Sequence, residues 1–270
     1  MWKAIEETTN YIKTKIKISP KIAVVLGSGL GGVVDEMSIN QMLPYEEIPN
    51  FPLSTVEGHK GQLLFGTLNN TPILAMQGRF HYYEGYDMKQ ITFPIRIMKA
   101  LGIEVLILSN ASGGMNPDFH VGDIVVINDH INFFPEHPLR GKNDERLGVR
   151  FPSMNEVYDK KIIQKIDNIA LQHHIKLKKG VYVGLQGPTY ETPAEYKMFY
   201  RLGGDCVGMS TVPEAIVACH SGMKCVGFSV ITDIWRENEN VEVFHEEVLE
   251  EAQKVEPILT KLLKELVAII

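Results

Sequence analysis

The sequence predicts an α/β fold: one domain over residues 1–270, with a central mixed, mostly parallel, twisted sheet flanked by helices. Three observations predict it. Apolar runs of strand length alternate with stretches of helical periodicity. The run Ile22-Ala23-Val24-Val25-Leu26 is apolar throughout, as a strand covered on both faces would be. Three such runs lead into Gly- or Ser-rich segments: Gly27-Ser28-Gly29-Leu30-Gly31-Gly32, Asn110-Ala111-Ser112-Gly113-Gly114 and Gly208-Met209-Ser210-Thr211. In an open α/β sheet, ligands bind beyond the carboxyl ends of strands. Glycine lets backbone N–H groups approach an anion, and serine adds hydroxyl donors. One anion site assembled from several strand ends is therefore expected.

The elements follow in order. Trp2, Ile5, Tyr11, Ile12 and Ile16 recur at helical spacing, and Ser19-Pro20 ends that helix. Residues 22–26 are the first strand. Residues 63–67 and 73–77 flank Asn69-Asn70-Thr71-Pro72, a hairpin signal that adds antiparallel character. Residues 88–101 read as a helix, with Pro94 marking a kink or an irregular first half. Strands are expected at 105–109 and 123–128. The proline-bearing, charged stretch 130–152 reads as a long loop, of the kind that is usually functional or at an interface. A helix near 155–173, a strand at 180–185 and a helix near 193–202 follow. A short strand at 205–207, a helix at 212–221 and a strand at 225–231 come next. From Val243 onward, Val248, Leu249, Ala252, Val255, Leu259, Leu262, Leu263 and Leu266 form a core-facing helical stripe, with Pro257 a possible kink.

Composition narrows the function. An apolar content of 44% supports a sizeable core, and no apolar run reaches the ~20 residues that span a bilayer. The net charge of −6 argues against nucleic acid as a partner. Cys206, Cys219 and Cys225 lack zinc-site spacing and read as reduced thiols. No histidine pattern suggests a metal. The opening residues lack a signal-peptide core, so a cytoplasmic location is expected.

Four segments carry chemistry. The first Gly-rich loop is neither a dinucleotide fingerprint, lacking the G-x-G-x-x-G pattern and a strand-ending acid, nor a Walker loop. A tight turn without ligand is its plain reading, and Ser28 as a phosphate donor is the better one. In Gln77-Gly78-Arg79-Phe80-His81-Tyr82-Tyr83-Glu84-Gly85-Tyr86, Arg79 offers a fork suited to oxyanions, and His81 shares its direction if the segment is extended. With serine hydroxyls they make a phosphate clamp. His59, in Glu57-Gly58-His59-Lys60-Gly61, is placed to reach the same site from a loop. In Gly187-Pro188-Thr189-Tyr190-Glu191-Thr192-Pro193, a tyrosine face can stack on a planar heterocycle while a carboxylate accepts its ring N–H. Alone, Glu191 reads equally well as a cap for the helix that follows.

Together these motifs resemble the trimeric purine nucleoside phosphorylases of the nucleoside phosphorylase family. The resemblance runs essentially end to end, to His245-Glu246-Glu247-Val248, and is most specific at residues 77–86, 110–114, 187–191 and 207–214. It implies the nucleoside phosphorylase fold and a reversible reaction: purine (deoxy)ribonucleoside plus phosphate gives free base plus (deoxy)ribose 1-phosphate. It implies that Ser28, Arg79, His81, Ser210 and the Ala111 N–H hold phosphate, with His59 closing over it. Tyr83, Met209 and His245 would hold the sugar, joined by Phe151 from a neighbouring subunit of a homotrimer. Tyr190, Glu191 and Asp233 would hold the base, and Glu191, Asp233 and His81 would serve catalysis. No cofactor beyond the co-substrate phosphate, and no metal, is implied.

Asp233, in Ile231-Thr232-Asp233-Ile234-Trp235, stands where many 6-oxopurine-specific members carry Asn. A protonated Asp233 can donate to O6 or N7, whereas an ionised one accepts from a 6-amino group. Inosine and guanosine are the expected substrates, because Glu191 pairs with a protonated N1. An adenine-preferring phosphorylase, acting on adenosine or methylthioadenosine, is the alternative that Asp233 raises. A hydrolytic nucleosidase, independent of phosphate, and a catalytically silent nucleoside-binding protein are the two further readings.

Overall fold

The computed structural model describes residues 1–28, 30–55, 60–237 and 243–270. Helix α1 (Trp2–Lys15) turns Ile5 and Ile12 into the core. Strand β1 (Ile22–Leu26) is buried at every residue, which explains its unbroken apolar run. It lies parallel to β4 (Thr71–Gln77) on one side and to β5 (Val105–Gly114) on the other. β4 pairs antiparallel with β3 (Gln62–Leu68), the expected hairpin, and β3 pairs antiparallel with β2 (Ser38–Pro44). β2 has no counterpart in the sequence reading. Its residues are mostly exposed, so it lacks the apolar signal that marked the other strands.

The other half of the sheet closes on itself. β5 pairs with β9 (Lys224–Ile234) in parallel, and β9 pairs antiparallel with β6 (Ile124–Asn132). β6 runs parallel to β7 (Leu177–Gly184), and β7 runs parallel to β8 (Cys206–Gly208). β8 returns to the end of β5, antiparallel, at Gly113 and Gly114. The sheet is thus mixed, as expected. It is a closed ring of five strands carrying an open arm of four, rather than a wholly open sheet.

This closure corrects one reading of the sequence. Residues 110–114 are not a loop after a strand ending at 109; they continue β5. The polar residues there did not look like a strand, yet their backbone pairs with β9 as far as Gly114. β6 likewise extends through Asn132, so the long loop starts at 133 rather than 130.

Helices α2 (Met88–Ile91) and α3 (Phe93–Ala100) replace the single expected helix, with Pro94 in the first turn of α3, where a missing N–H costs nothing. Helix α4 (Lys160–Gln172) begins later than expected because Asp159 caps it by accepting from the Ile162 N–H. Helix α5 (Pro193–Arg201) is capped by Thr192, helix α6 (Val212–His220) follows Thr211, and helix α7 (His245–Val267) runs through Pro257. The main core joins both faces of the sheet to α1, α3, α4, α6 and α7.

One close approach positions the first Gly-rich loop. Gly27 lies so near β5 that a Cβ would fall 2.6 Å from the Ser109 carbonyl oxygen and 2.8 Å from Asn110 Cα. Both neighbours are backbone and cannot yield cheaply. Gly27→Ala is therefore expected to destabilise the chain by about 1–3 kcal/mol, as overpacking does. Urea unfolding midpoints check this, and an unchanged midpoint would show that the approach can relax.

Candidate active site

The cavity arises where the strands part. β1 pairs with β5 only as far as Leu108, and β8 takes up the same edge at Gly113. Between them, residues 109–112 of β5 have β9 alone as a strand partner. The cavity opens in that gap. Its lining includes Ser28, Arg79, His81, Tyr83, Ala111, Tyr190, Glu191, Met209, Ser210, Asp233 and His245. Eleven residues singled out from seven separate stretches of sequence thus converge. Two do not. His59 lies outside the described residues. Phe151 is absent from the lining and is 88% exposed, so any role at a sugar site would be in another subunit.

Arg79 organises one end. It follows Gly78, whose φ of +107° turns the chain out of β4, and the Gly78 carbonyl accepts 2.6 Å from the Tyr45 hydroxyl. The Arg79 side chain is buried, with Nε 3.2 Å from Glu214 Oε1. Its Nη1 donates to the Ser109 carbonyl at 2.8 Å and to Ser210 Oγ at 3.1 Å. Glu214 also accepts from the Thr211 N–H at 2.9 Å. Thr211 has φ +68° and ψ −51°, an uncommon conformation for a β-branched residue, worth of order 1–3 kcal/mol of strain. Asn110 Nδ2 holds it by donating to its hydroxyl at 2.8 Å, and Ser229 Oγ donates to Asn110 Oδ1 at 2.5 Å. The Ser210–Thr211 turn is therefore fixed by buried polar groups from β5, β9 and α6.

His81 stands beside this cluster. Its Nδ1 lies 3.0 Å from Glu84 Oε1, and its backbone N–H donates to the same oxygen at 2.7 Å. Burial would raise the Glu84 carboxyl. The hydrogen bonds from His81 and from the Thr55 hydroxyl and N–H outweigh that and hold it at about 2. Burial pushes the His81 imidazole below its ordinary value. With Glu84 ionised and the ring neutral, the proton belongs on Nδ1, which leaves Nε2 as an acceptor. The ring stacks on Tyr83 at 4.8 Å between centroids.

The other end is acidic. Glu191 is pushed up to about 6, first by burial and then by Asp233 and Glu195; a backbone hydrogen bond and Tyr196 oppose this. Its Oε1 is buried and has no hydrogen-bond partner among the described residues. Asp233 is also raised by burial, against hydrogen bonds from Thr232 and Tyr196. Thr232 Oγ1 lies 3.2 Å from Asp233 Oδ1, and the Tyr196 hydroxyl lies 3.4 Å from Oδ2. Glu191 does not cap α5, since Thr192 and Glu195 form that capping box. Gly187, at φ +64°, lets this loop close on the rest: a Cβ there would meet Met209 Sδ at 2.5 Å and Tyr83 Cδ1 at 3.0 Å.

The sequence profile of the phosphorylase superfamily matches residues 21–268. The chain belongs to that superfamily. It is similar to purine nucleoside phosphorylase 1 of Bacillus subtilis, 49% identical over 98% of this chain and 97% of the relative. It is similar to the Bos taurus purine nucleoside phosphorylase, 48% identical over 96% of this chain and 93% of the relative. Among solved structures, isoform 2 of the Schistosoma mansoni purine nucleoside phosphorylase, with cytosine and ribose-1-phosphate, superposes with a TM-score of 0.95 at 40% identity, covering 100% of this chain and 97% of that one. The S. mansoni purine nucleoside phosphorylase with inosine gives a TM-score of 0.93 at 35% identity, covering 99% and 96%.

Sequence reasoning missed three residues of this neighbourhood: Glu84, Glu214 and Tyr196. Glu84 lies three residues after His81, and Glu214 three after Thr211, spacings that signal a reciprocal cap. Tyr196 carried no signal, because its role depends on α5 packing over the end of β9. Among the described residues, no group of three or more His, Cys, Asp or Glu is placed to hold a metal ion, and no helix is long and apolar enough to cross a membrane. Cys206 and Cys225 are buried, Cys219 is partly exposed, and all three are free thiols.

Arg79 and Glu214 form a buried pair of opposite charges. Removing one leaves the other uncompensated, at a cost of about 3–5 kcal/mol. Glu214→Ala is expected to lower unfolding stability by that amount, read from urea denaturation. A loss below ~1 kcal/mol would mean that the pair does not organise the site.

Proposed function

We infer that this chain catalyses reversible phosphorolysis of purine (deoxy)ribonucleosides, with inosine and guanosine as preferred substrates. One observation carries the reading. Buried Arg79 with the half-buried Ser28 and Ser210 hydroxyls as donors, and buried His81 as an acceptor, suits a protonated oxyanion and shares a cavity with a raised carboxyl pair that includes an unpartnered buried oxygen. Phosphate at one end and a purine at the other leave the glycosidic bond between them.

Each residue then has a task. Arg79, Ser28, Ser210 and the Ala111 N–H bind phosphate oxygens, and His81 Nε2 accepts a phosphate proton. His59 closes over the anion. Tyr83, Met209 and His245 seat the sugar, and Phe151 of a neighbouring subunit covers it in a homotrimer; the exposure of Phe151 supports that assignment. Tyr190 packs on the base and Glu191 accepts its N1–H. Holding phosphate beside C1′ converts a bimolecular attack into a unimolecular one. As the bond breaks, the sugar gains oxocarbenium character next to the phosphate anion. The purine gains negative charge, which Asp233 in its protonated form stabilises by donating to the O6 and N7 edge. No covalent intermediate forms on the enzyme, and no cofactor beyond phosphate has a task. Residues 1–270 act as one catalytic domain, in the cytoplasm, where free thiols persist.

Release of free base from inosine, guanosine, adenosine and methylthioadenosine, with and without phosphate, tests this. Phosphate-dependent cleavage of inosine and guanosine is expected, and cleavage without phosphate would contradict it. Glu191→Ala is expected to lower kcat/KM for inosine by roughly 10²–10³ while leaving phosphate affinity nearly intact; equal rates would remove Glu191 from the base site. Asp233→Asn keeps a donor at the O6 edge and replaces the carboxylate acceptor by a weaker, neutral amide carbonyl. It should lower the adenosine-to-inosine ratio of kcat/KM; an unchanged ratio would mean that Asp233 does not read position 6.

A further inference from the structure

Three groups meet at the base end of the cavity. The Tyr196 hydroxyl lies 3.4 Å from Asp233 Oδ2, and Glu191 lines the same wall. Gly113 makes room for them: a Cβ there would lie 2.8 Å from Asp233 Oδ2 and 3.0 Å from the Tyr196 hydroxyl. The Tyr196 ring is buried and stacks on Trp235, centroids 6.0 Å apart and nearly parallel, so the hydroxyl is held in place while its proton can rotate. Tyr196 has one proton and two carboxyl neighbours.

Proton counting shows what this permits. A 6-oxopurine presents a donor at N1 and acceptors at O6 and N7. It needs Glu191 ionised and Asp233 protonated. A 6-aminopurine presents an acceptor at N1 and a donor at the 6-amino group. It needs Glu191 protonated and Asp233 ionised. Both arrangements put one proton on the carboxyl pair. They differ only in which partner carries it and therefore in which partner needs the tyrosine proton.

Resting on the phosphorolysis reading above, we propose that Tyr196 is the positioning residue that sets base tolerance: its hydroxyl turns to donate to whichever of Glu191 and Asp233 is charged, so the site accepts 6-amino as well as 6-oxopurine nucleosides. With inosine, Asp233 donates to the base, Tyr196 donates to Glu191, and Glu191 Oε1 accepts the N1–H. With adenosine, Glu191 donates to N1, Tyr196 donates to Asp233, and Asp233 accepts from the amino group. The proton moves within the pair, and none is gained or lost.

Other charges face the pair without sharing the proton. Glu195 on α5 lies near Glu191, and Glu246 at the start of α7 faces Tyr190. Thr232 bonds to the far oxygen of Asp233 and to the Ser112 carbonyl. Arg79, His81 and His245 also line the cavity. Burial raises both Glu191 and Asp233 above their ordinary values, the direction that favours a shared proton on the pair.

The test is the pH dependence of kcat/KM for inosine and for adenosine, in the wild-type chain and in Tyr196→Phe, which keeps the stacked ring. The wild-type chain should cleave adenosine with at least a tenth of the kcat/KM for inosine. Both substrates should share one acid limb, because both report the same pair in the free enzyme. In Tyr196→Phe the charged carboxyl loses a donor, so the acid limb should move up by about one pH unit for both substrates. A structural role alone would lower activity without moving the limb. Adenosine kcat/KM below a hundredth of the inosine value, or an acid limb unmoved in Tyr196→Phe, would overturn this inference and leave phosphorolysis standing. Failure of the wild-type chain to cleave inosine with phosphate would overturn phosphorolysis and the inference with it.

Discussion

The Arg79–Glu214 contact is the interaction on which the rest of the site depends. Two opposite charges lie buried at 3.2 Å, and burial of either alone would be costly. Each is then committed to further partners. Arg79 reaches the Ser109 carbonyl and Ser210, and Glu214 reaches the N–H of Thr211. One pair thereby joins the end of β4, the middle of β5 and the start of α6. It also helps hold Thr211 in a conformation that the residue would otherwise avoid. A preorganised anion site needs donors that do not move when the ligand arrives, and this network supplies that rigidity.

The sheet supplies the space. A long β5 whose neighbour β1 ends early, and whose other neighbour β8 begins late, leaves residues 109–112 without a partner on that edge, and Asn110, Ala111 and Ser112 line the cavity. The donors come from elements that end at this gap: Ser28 after β1, Arg79 after β4, Ser210 after β8. The carboxyls come from the far side, Asp233 at the end of β9 and Glu191 before α5. Cation and hydroxyls at one end and acids at the other follow from topology, and that polarity suits a reaction in which a phosphate anion meets a sugar cation while the base leaves with negative charge.

Much of this was legible in the sequence. Unbroken apolar runs mark β1 and the first part of β5, since strands buried on both faces need no alternation. The Asn-Asn turn marks the β3–β4 hairpin. Arg79, Ser210 and Glu191 stand in segments dense with functional groups. What was hidden is of two kinds. The polar end of β5 looks like a loop because its side chains serve the site while only its backbone serves the sheet. β2, mostly exposed, carries too little apolar signal to be seen. Tyr196 and the ring closure depend on contacts between distant stretches of chain, which local pattern does not encode.

Phosphate capture at Arg79 is the step on which the proposed reaction depends. Calorimetric titration of inorganic phosphate into the nucleoside-free chain, and into Arg79→Gln, tests this directly. One phosphate per chain should bind, at least a hundredfold more weakly in the variant. Equal affinities in the two proteins would place the anion elsewhere and contradict capture at Arg79.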